Sequence, residues 1–382
     1  MKKILSALVK GDGSGPEMME TACVIAIAAA KKDGYELEFE ETPMGWCTYA
    51  ASGDTRPEAS FRRAKEIGLL FFGGVGDPKF DNTVGKEKPE MKPEPRCLLA
   101  LRKDMGLLLN FRPMIYYPPL AHLTNVKPEM IPAQGIKQIW IRFLLEDSYF
   151  GNEDFKRNSV FTPYVKPKSQ VTGEEEFVMD LAYFNRTTIE KYIRAAFTHA
   201  RAQELPLISI DKANVMARYE FWRRIVTKIG KDEFPDVALR HEYVDAANAL
   251  LFTPSKLHGV IACGNEHGDI LSDGAAGALG SMGLMCSSAI NPDTGAAMFE
   301  SGAGTAPTLA GQDKANPIGR ILTAAMMLRH FGASDGANAI ENAVQEVLSL
   351  GYRTGDLVTP SNPATDLLVG TKKMGHLILS RI

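Results

Sequence analysis

Short apolar runs alternate with helix-type patterns along most of the chain. The run Ile4–Val9 leads through a Gly-rich turn into a helix that the pattern predicts over Glu17–Ala30. Four further strand-like runs each lead into a polar or Gly-containing segment: Leu69–Phe72, Ile139–Phe143, Leu207–Ile210 and Val260–Ala262. This alternation predicts an α/β fold with a largely central sheet, in which ligands bind in the loops that follow the strands.

The polar segment Asn152–Glu176 departs from this alternation. It contains Pro163, Pro167 and Gly173, together with the β-type residues 160–162. Proline and glycine favour an irregular loop, whereas β-branched and aromatic residues favour a strand. Two interpretations remain open: a surface loop, or a protruding arm that pairs with another subunit.

The amino-acid composition excludes several classes of protein. The 382 residues are 45% hydrophobic and 23% charged, with a formal net charge of −3. Such a chain can bury a substantial core, as one two-lobed unit or as two ordinary domains. The lack of a polybasic run argues against nucleic acid as a partner. The five cysteines are odd in number and form no CxxC pair, which argues against disulfides and a zinc site.

The apolar stretches near the start of the chain are too short for a membrane span or a signal peptide. The run Cys23–Ala30 falls far short of the roughly 20 residues that cross a bilayer. Met1–Lys3 and Ile4–Val9 resemble the start of a signal peptide, but Lys10–Asp12 ends the run without a cleavage pattern. We therefore expect a cytoplasmic protein with no membrane partner.

The Gly-rich turn at residues 11–17 reads GDGSGPE and joins the first strand to the first helix. Its spacing is not G-x-G-x-x-G, so the usual dinucleotide-binding fingerprint is missing. Pro16 is typical of a first helical turn. A tight strand-to-helix turn and a direct ligand contact are both compatible with this segment.

Three aspartates form a candidate metal site. Asp269 and Asp273 have i, i+4 spacing, which places both carboxylates on one face of a helix. They follow directly on the predicted strand Val260–Ala262, and Asp245 precedes that strand. A solvated helix face would explain an isolated pair, but grouped carboxylates after a strand favour Mg²⁺ or Mn²⁺, which prefer hard oxygen ligands.

Several cationic side chains and one tyrosine complete the candidate chemistry. Arg142 interrupts an apolar strand and would need a buried anion, and Arg102 and Arg112 offer further two-pronged binding of carboxylates. Lys212 follows another predicted strand and is a candidate base. Tyr149 is either a core aromatic residue or a proton donor.

Taken together, these segments resemble the isocitrate/3-isopropylmalate dehydrogenase family. The match runs in one order along nearly the whole chain. It comprises GDGSGPE (11–17), LRK and NFRP (101–113), the Tyr149 segment, DKAN (211–214), HEYVDA (241–246), GDILSD (268–273) and GTAPTLAGQDKANP (304–317). The resemblance implies NAD(P)-dependent oxidation and β-decarboxylation of a 3-substituted malate, with Mg²⁺ or Mn²⁺.

The resemblance also implies a two-lobed α/β subunit and a homodimer. One lobe would combine residues 1–108 with 281–382 and bind the cofactor. The other would span 109–280, with an arm at about 152–176 that clasps the partner. The resemblance places Lys212 and Asp245 in the neighbouring subunit's active site.

The same resemblance assigns roles to individual residues. Tyr149 and Lys212 would be catalytic, and Asp245, Asp269 and Asp273 would bind the metal. The substrate would be bound by Arg96, Leu98, Leu99, Arg102, Arg112, Arg142 and Asp245. The cofactor would be bound by Gly304, Thr305, Ala306, Pro307, Thr308, Leu309 and Asn316.

Two departures from the family pattern concern the cofactor. Ala303 stands where the family usually has a histidine near the adenine, and Thr308 stands where NAD-using members carry an aspartate. Thr308-Leu309 also differs from the Lys-Tyr of NADP-using isocitrate enzymes. NAD is favoured, and NADP remains open. The altered loop also leaves room for a non-catalytic regulatory subunit, although the complete set of catalytic residues favours an enzyme.

The substituent on C3 of the substrate is expected to contact Arg96, Leu98 and Leu99. An arginine that points into a closed site needs an anion, because an unpaired buried charge is costly. This favours an anionic tail, as in isocitrate, homoisocitrate or a phosphonomethylmalate. The two leucines match the apolar pocket of the alternative, a 3-isopropylmalate dehydrogenase, in which Arg96 would face solvent.

Overall fold

The computed structural model describes residues 1–132, 135–150, 180–280, 282–358 and 367–382. The segment Asn152–Glu176 lies outside the described residues, so the choice between loop and dimer arm stays a prediction. No helix in the described part is long and apolar enough to cross a membrane.

One large mixed sheet runs through the described chain. Its strands are β1 Lys2–Val9, β2 Tyr35–Glu41, β3 Leu69–Phe72, β4 Leu109–Ile115, β5 Lys137–Phe143, β6 Leu207–Asp211, β7 Leu239–Tyr243, β8 Gly259–Cys263, β9 Ser288–Ile290 and β10 Ala297–Glu300. Their order is β2-β1-β3-β10-β9-β4-β5-β8-β6-β7. The predicted apolar runs are therefore strands, and the α/β class is confirmed.

The sheet consists of two parallel parts joined by antiparallel strands. Strands β2, β1, β3 and β10 are parallel, and so are β5, β8, β6 and β7. Between them β9 pairs antiparallel with both β10 and β4, and β4 pairs antiparallel with β5. A small separate sheet pairs β11 Tyr352–Arg353 with β12 Leu367–Leu368.

Helices cover the sheet. The longer ones are α1 Gly15–Ala30, α3 Glu58–Ile67, α7 Arg186–Ala202, α8 Ala217–Glu233, α10 Asn265–Leu279, α11 Ile318–His330, α12 Ser334–Ser349 and α13 Thr371–Leu379. Shorter ones are α2 Trp46–Ser52, α4 Pro78–Asp81, α5 Val84–Glu87, α6 Ala100–Asp104 and α9 Val244–Leu250. A π-helical segment, Glu94–Leu99, directly precedes α6. Helix α1 begins two residues earlier than predicted, with Pro16 in its first turn.

Side-chain alternation in β5 creates the setting for a functional site. Ile141 and Phe143 pack into an apolar cluster with α7 and α8. Trp140 lies on the opposite face, in a cluster with residues of α10. Because side chains alternate along a strand, Arg142 also faces α10. The helix that carries Asp269 and Asp273 therefore covers the face on which Arg142 lies.

Apolar clusters form on both sides of the sheet. One cluster combines distant parts of the chain, including Met19, Ile321 and Met374. Another is built from residues between 108 and 262. The lobe boundaries given above remain a prediction.

Candidate active site

A cavity of about 410 Å³ lies where β4, β5 and α10 approach the π-helical segment and the loops after β3 and β10. Its volume is that of a typical small-molecule site. Residues proposed from the sequence that line it are Leu98, Leu99, Arg102, Arg112, Arg142, Tyr149, Asp269, Asp273, Gly304 and Thr305. These positions are far apart in sequence, and folding brings them to one place.

Arg142 is the most deeply buried of the three arginines, with 2% of its surface exposed. Its Nη1 donates to Asp269 Oδ1, and its Nε donates to Asn265 Oδ1 at 2.9 Å. Burial lowers the pKa of Arg142, but a guanidinium stays charged in proteins. Its Nη2 is buried and has no partner among the described residues. Arg142 therefore retains an N–H group for a ligand carboxylate.

Arg112 joins both helix carboxylates. Its Nη1 donates to Asp273 at 2.9 Å and its Nη2 to Asp269 at 3.1 Å. Its Nε donates to Asn110 Oδ1 at 2.8 Å, and Ser272 Oγ accepts from Nη1 at 2.8 Å. This network fixes the direction of the guanidinium before any substrate binds.

Arg102 contacts a carboxylate that sequence analysis missed. Its Nη2 lies 3.1 Å from Glu300 Oε2, and its Nε is buried without a partner in the described chain. Glu300 ends β10 and lines the cavity. Its place at a strand end was the available signal, but a single acid there is too common to single out.

Asp269 and Asp273 both face the cavity from α10. Burial opposes ionisation of Asp269, but Arg142 and Arg112 outweigh it and lower the pKa of this carboxyl. Burial raises the pKa of Asp273, and Arg112 only partly compensates. The two carboxylates suit a hard cation. Among the described residues of one chain, no three His, Cys, Asp or Glu side chains come together as a metal site.

Tyr149 lies at the edge of the same cavity. Its hydroxyl donates to Asp269 Oδ2 at 2.9 Å, and its ring lies 5.2 Å from the Arg142 guanidinium carbon. Partial burial and the nearby Asp269 raise its pKa to about 12. The phenol is therefore protonated at neutral pH, as a proton donor must be.

Lys212 and Asp245 contact each other rather than this cavity. Lys212 follows β6 and its Nζ donates to Asp245 Oδ1 at 2.6 Å. Asp245 lies in the first turn of α9, its side chain is 67% exposed, and the contact with Lys212 lowers its pKa. Neither residue lines the cavity of its own chain. Their surface position suits two residues that serve a neighbouring site.

The position of Arg96 corrects an expectation. The sequence placed Arg96 with Leu98 and Leu99 at the substrate, but only the two leucines line the cavity. Arg96 instead pairs with Asp54 at 3.0 Å. Glu94, which was not predicted, lines the cavity from the same π-helical segment. Partial removal from solvent raises the pKa of Glu94, and Arg102 opposes this shift.

The loop after β10 joins two cavities. Gly304 and Thr305 line the first, whereas Ala303, Ala306, Leu309 and Asn316 line a second cavity of about 750 Å³. Pro307, Thr308 and Leu309 form one 3-10 turn, and the Thr308 carbonyl accepts from Gln312 Nε2 at 2.7 Å. Asn316 Nδ2 donates to Asp356 at 2.9 Å. The second cavity is large enough for the nucleotide part of a dinucleotide.

The Gly-rich turn at residues 11–17 contacts loops that lie next to the cavity. A Cβ at Gly11, whose φ is +78°, would lie 1.9 Å from the Gly74 carbonyl oxygen. Asp12 is buried and accepts backbone N–H groups of Trp46, Cys47 and Gly76 at 2.8–3.0 Å. The turn therefore holds neighbouring loops together, which favours the structural interpretation.

Arg320 was also missed by sequence analysis. This fully buried residue of α11 donates to three backbone carbonyls: Ser301 at 3.0 Å, Gly73 at 2.6 Å and Gly304 at 2.9 Å. It thereby joins the loop after β10 to the end of β3. The available signal was an arginine beside the mainly apolar run 321–328, a pattern similar to the one that singled out Arg142.

Replacing Arg320 with methionine should destabilise the protein by about 2–4 kcal/mol, because three buried carbonyls would lose their donors. Urea denaturation measures this change. Arg329→Met is the matched control on the same helix: its guanidinium is 43% exposed and pairs with Glu341, so its loss should cost less than about 1 kcal/mol. Equal effects of the two variants would contradict the role assigned to Arg320.

Comparisons with known proteins identify the family of this chain. The family described as isocitrate/isopropylmalate dehydrogenase matches residues 6–378. This chain belongs to that family. A 3-isopropylmalate dehydrogenase of Oleidesulfovibrio alaskensis is 39% identical over 379 residues, 98% of each chain. Another, of Cupriavidus pinatubonensis, is 38% identical over 98% of this chain and 99% of the relative.

Two solved structures share the fold of this chain. The isocitrate dehydrogenase of Methylococcus capsulatus is 29% identical, with a TM-score of 0.78 over 100% of this chain and 99% of that one. The TT0538 protein of Thermus thermophilus is 27% identical, with a TM-score of 0.77 over 99% and 68% of the two chains. The chain is thus an oxidoreductase of the isocitrate/isopropylmalate dehydrogenase family, as the ordered motifs predicted.

Proposed function

We propose that this chain is an NAD-dependent 3-isopropylmalate dehydrogenase that oxidises and β-decarboxylates its substrate. The observation that carries the choice of substrate is the side of the cavity formed by Leu98 and Leu99, from which Arg96 is turned away toward Asp54. An isopropyl group packs favourably on leucine side chains. The curated relatives named above carry the same activity in their names.

An anionic tail, favoured by the sequence, finds no support at this end of the cavity. Glu94 lies there, and a second anion beside it would be repelled. We assign Arg102, with Arg112 and Arg142, to the two carboxylates of the malate part, which leaves no arginine among the described lining residues for an anionic tail. The alternative interpretation, an apolar C3 substituent, is therefore preferred.

The acidic side chains suit a divalent cation, and the second cavity suits NAD. Asp269 and Asp273 of one subunit, with Asp245 of the partner subunit, would hold Mg²⁺ or Mn²⁺. Asp313, Lys314 and Asp356 line the second cavity, and the net negative charge of these three side chains disfavours the additional phosphate of NADP. When bound, the metal supplies a Lewis acid for the oxygen on C2, and NAD supplies the hydride acceptor.

The chain's own residues move the protons and hold the carboxylates. Lys212 of the partner subunit accepts the proton of the C2 hydroxyl as the alcohol is oxidised. Arg102, Arg112 and Arg142 bind the carboxylates and orient the one that leaves as CO₂. Tyr149 then donates its phenolic proton to the carbon from which CO₂ has departed.

A substrate panel tests the proposal. The purified protein is assayed with 3-isopropylmalate, isocitrate and malate, each with NAD or NADP and with Mg²⁺. We expect the highest kcat/KM for 3-isopropylmalate with NAD, about 10–200-fold above malate, because the isopropyl group fills an apolar pocket. A higher kcat/KM for isocitrate would restore the anionic tail, and a preference for NADP would overturn the assignment of the cofactor.

A further inference from the structure

The ion pair between Arg96 and Asp54 turns Arg96 away from the cavity, and its geometry fixes the position of the Arg96 side chain. Asp54 Oδ1 accepts from Arg96 Nε at 3.1 Å, and Asp54 Oδ2 accepts from Nη2 at 3.1 Å. The two side chains are only 34% and 25% exposed. A two-pronged pair of this kind fixes direction as well as distance, because both partners are planar.

The carboxylate of Asp54 is itself held in place. Its Oδ1 also accepts the backbone N–H of Arg56 at 2.8 Å. In return, Arg56 Nη1 donates to the Arg96 carbonyl oxygen at 3.1 Å. The Arg56 guanidinium packs over the Phe61 ring, 4.4 Å from the ring centre. Residues 54–56 therefore hold Arg96 by both its side chain and its backbone.

Thr55 extends the contact to either side of Glu94. Its hydroxyl donates to the Met91 carbonyl oxygen at 2.8 Å, and its own carbonyl accepts from Cys97 Sγ at 3.3 Å. Thr55 and Cys97 are both fully buried. The 54–56 loop thus contacts the chain before and after Glu94, and none of its three residues lines the cavity.

The segment that the 54–56 loop holds needs such support. Glu94–Leu99 is a π-helix, a rare conformation that is often found at functional sites. Pro93 and Pro95 lie at its start and lack backbone N–H groups. The segment presents Glu94, Leu98 and Leu99 to the cavity. A shift of the π-helix would therefore move the surface that the C3 substituent contacts.

We propose that Asp54 and Arg96 are positioning residues for substrate specificity: they hold the π-helical segment so that its side chains recognise the C3 substituent. The inference rests on the proposed function, and it deepens it, because it explains how an arginine in this segment serves an apolar tail. Neither residue touches the substrate. Their loss should therefore affect recognition of the tail and not the chemistry on C2.

The test compares substrates with and without the tail. For Arg96→Gln and Asp54→Asn, kcat/KM is measured with 3-isopropylmalate and with malate. We expect the ratio of the two to fall roughly tenfold, the loss of one charge-assisted interaction. The fall should appear as a higher KM for 3-isopropylmalate, with kcat for malate unchanged. Asp54→Asn keeps the Arg56 turn and removes only the charge.

Two further variants separate positioning from general destabilisation. The double variant Asp54→Asn/Arg96→Gln should lose no more than either single variant, because both remove the same pair. The control is Arg194→Gln. Arg194 on α7 forms a two-pronged pair with Glu233 on α8, at 2.8 and 2.9 Å, and the substitution breaks this pair. It should leave the ratio unchanged. Melting temperatures are recorded for all variants, and Arg96→Lys replaces Arg96→Gln should the latter not fold.

The two proposals fail in different ways. A wild-type protein that does not prefer 3-isopropylmalate over malate would overturn the proposed function. A wild type that does prefer it, combined with an unchanged ratio in Arg96→Gln and Asp54→Asn, would overturn the positioning role alone. An equal loss with both substrates would likewise overturn it, since the pair would then act only on overall stability.

Discussion

A mixture of two inactive variants, Lys212→Gln and Asp269→Asn, is expected to recover activity once their subunits exchange. Alone, Lys212→Gln should lose roughly 10²–10⁴-fold in kcat, the usual effect of removing a positioned base. Asp269→Asn should be equally impaired, because Asp269 is the carboxylate on which Arg112, Arg142 and Tyr149 converge. In a mixed dimer, however, one of the two sites contains wild-type Asp269 and wild-type Lys212.

The structural ground for this expectation is the separation of the two groups within one chain. Asp269 lines the cavity, whereas Lys212 pairs with the exposed Asp245 and does not line it. If both groups act in one reaction, Lys212 must come from a second copy of the chain. The two variants are mixed in mild denaturant so that subunits exchange, and activity is measured after dilution of the denaturant. About half of the sites in mixed dimers are expected to be intact.

The controls for this experiment use pairs from the same side of the site. Asp269→Asn mixed with Asp273→Asn should stay inactive, because each mixed site then lacks one of the two helix carboxylates. Lys212→Gln mixed with Asp245→Asn should also stay inactive. If the mixture of Lys212→Gln and Asp269→Asn does not recover activity although light scattering shows dimers, a shared active site is contradicted.

Tyr149→Phe should separate decarboxylation from oxidation. Tyr149 is expected to protonate the carbon after CO₂ leaves, so its loss should slow overall decarboxylation by roughly 10²–10⁴-fold. Reduction of a supplied 2-keto acid does not need this proton and should be affected much less. The first rate is measured as the formation of NADH with 3-isopropylmalate as substrate. The second is measured as the consumption of NADH with the supplied 2-keto acid.

The physical basis is the setting of the phenol. Its hydroxyl contacts Asp269 at 2.9 Å, and its pKa of about 12 keeps it protonated at neutral pH. Tyr35→Phe is the matched control, because Tyr35 lies on edge strand β2 and packs on Phe331. It should leave both rates unchanged. An equal loss of both rates in Tyr149→Phe would mean that Tyr149 is structural.

Local patterns in the sequence determined the frame of the site. The apolar runs predicted the strands that carry it, because side-chain alternation and burial are local properties. Arg142 stood out as a charge within such a run, and it is indeed 2% exposed and paired with Asp269. The i, i+4 spacing of Asp269 and Asp273 predicted one shared face of α10, and both residues line the cavity. Each of these inferences depends on neighbours within a few residues.

The partners of long polar side chains were decided only by tertiary structure. Arg96 has Asp54, 42 positions away, and nothing near either residue in sequence indicates this pairing. Arg102 finds Glu300 across 198 positions, and Arg320 reaches Gly73 across 247. A flexible arginine can point to either side of its helix, and its direction depends on which distant anion or carbonyl the fold brings near. Local sequence patterns therefore predicted which strands and helices carry the candidate active site, and the packing of distant segments determined which of the arginines line the cavity.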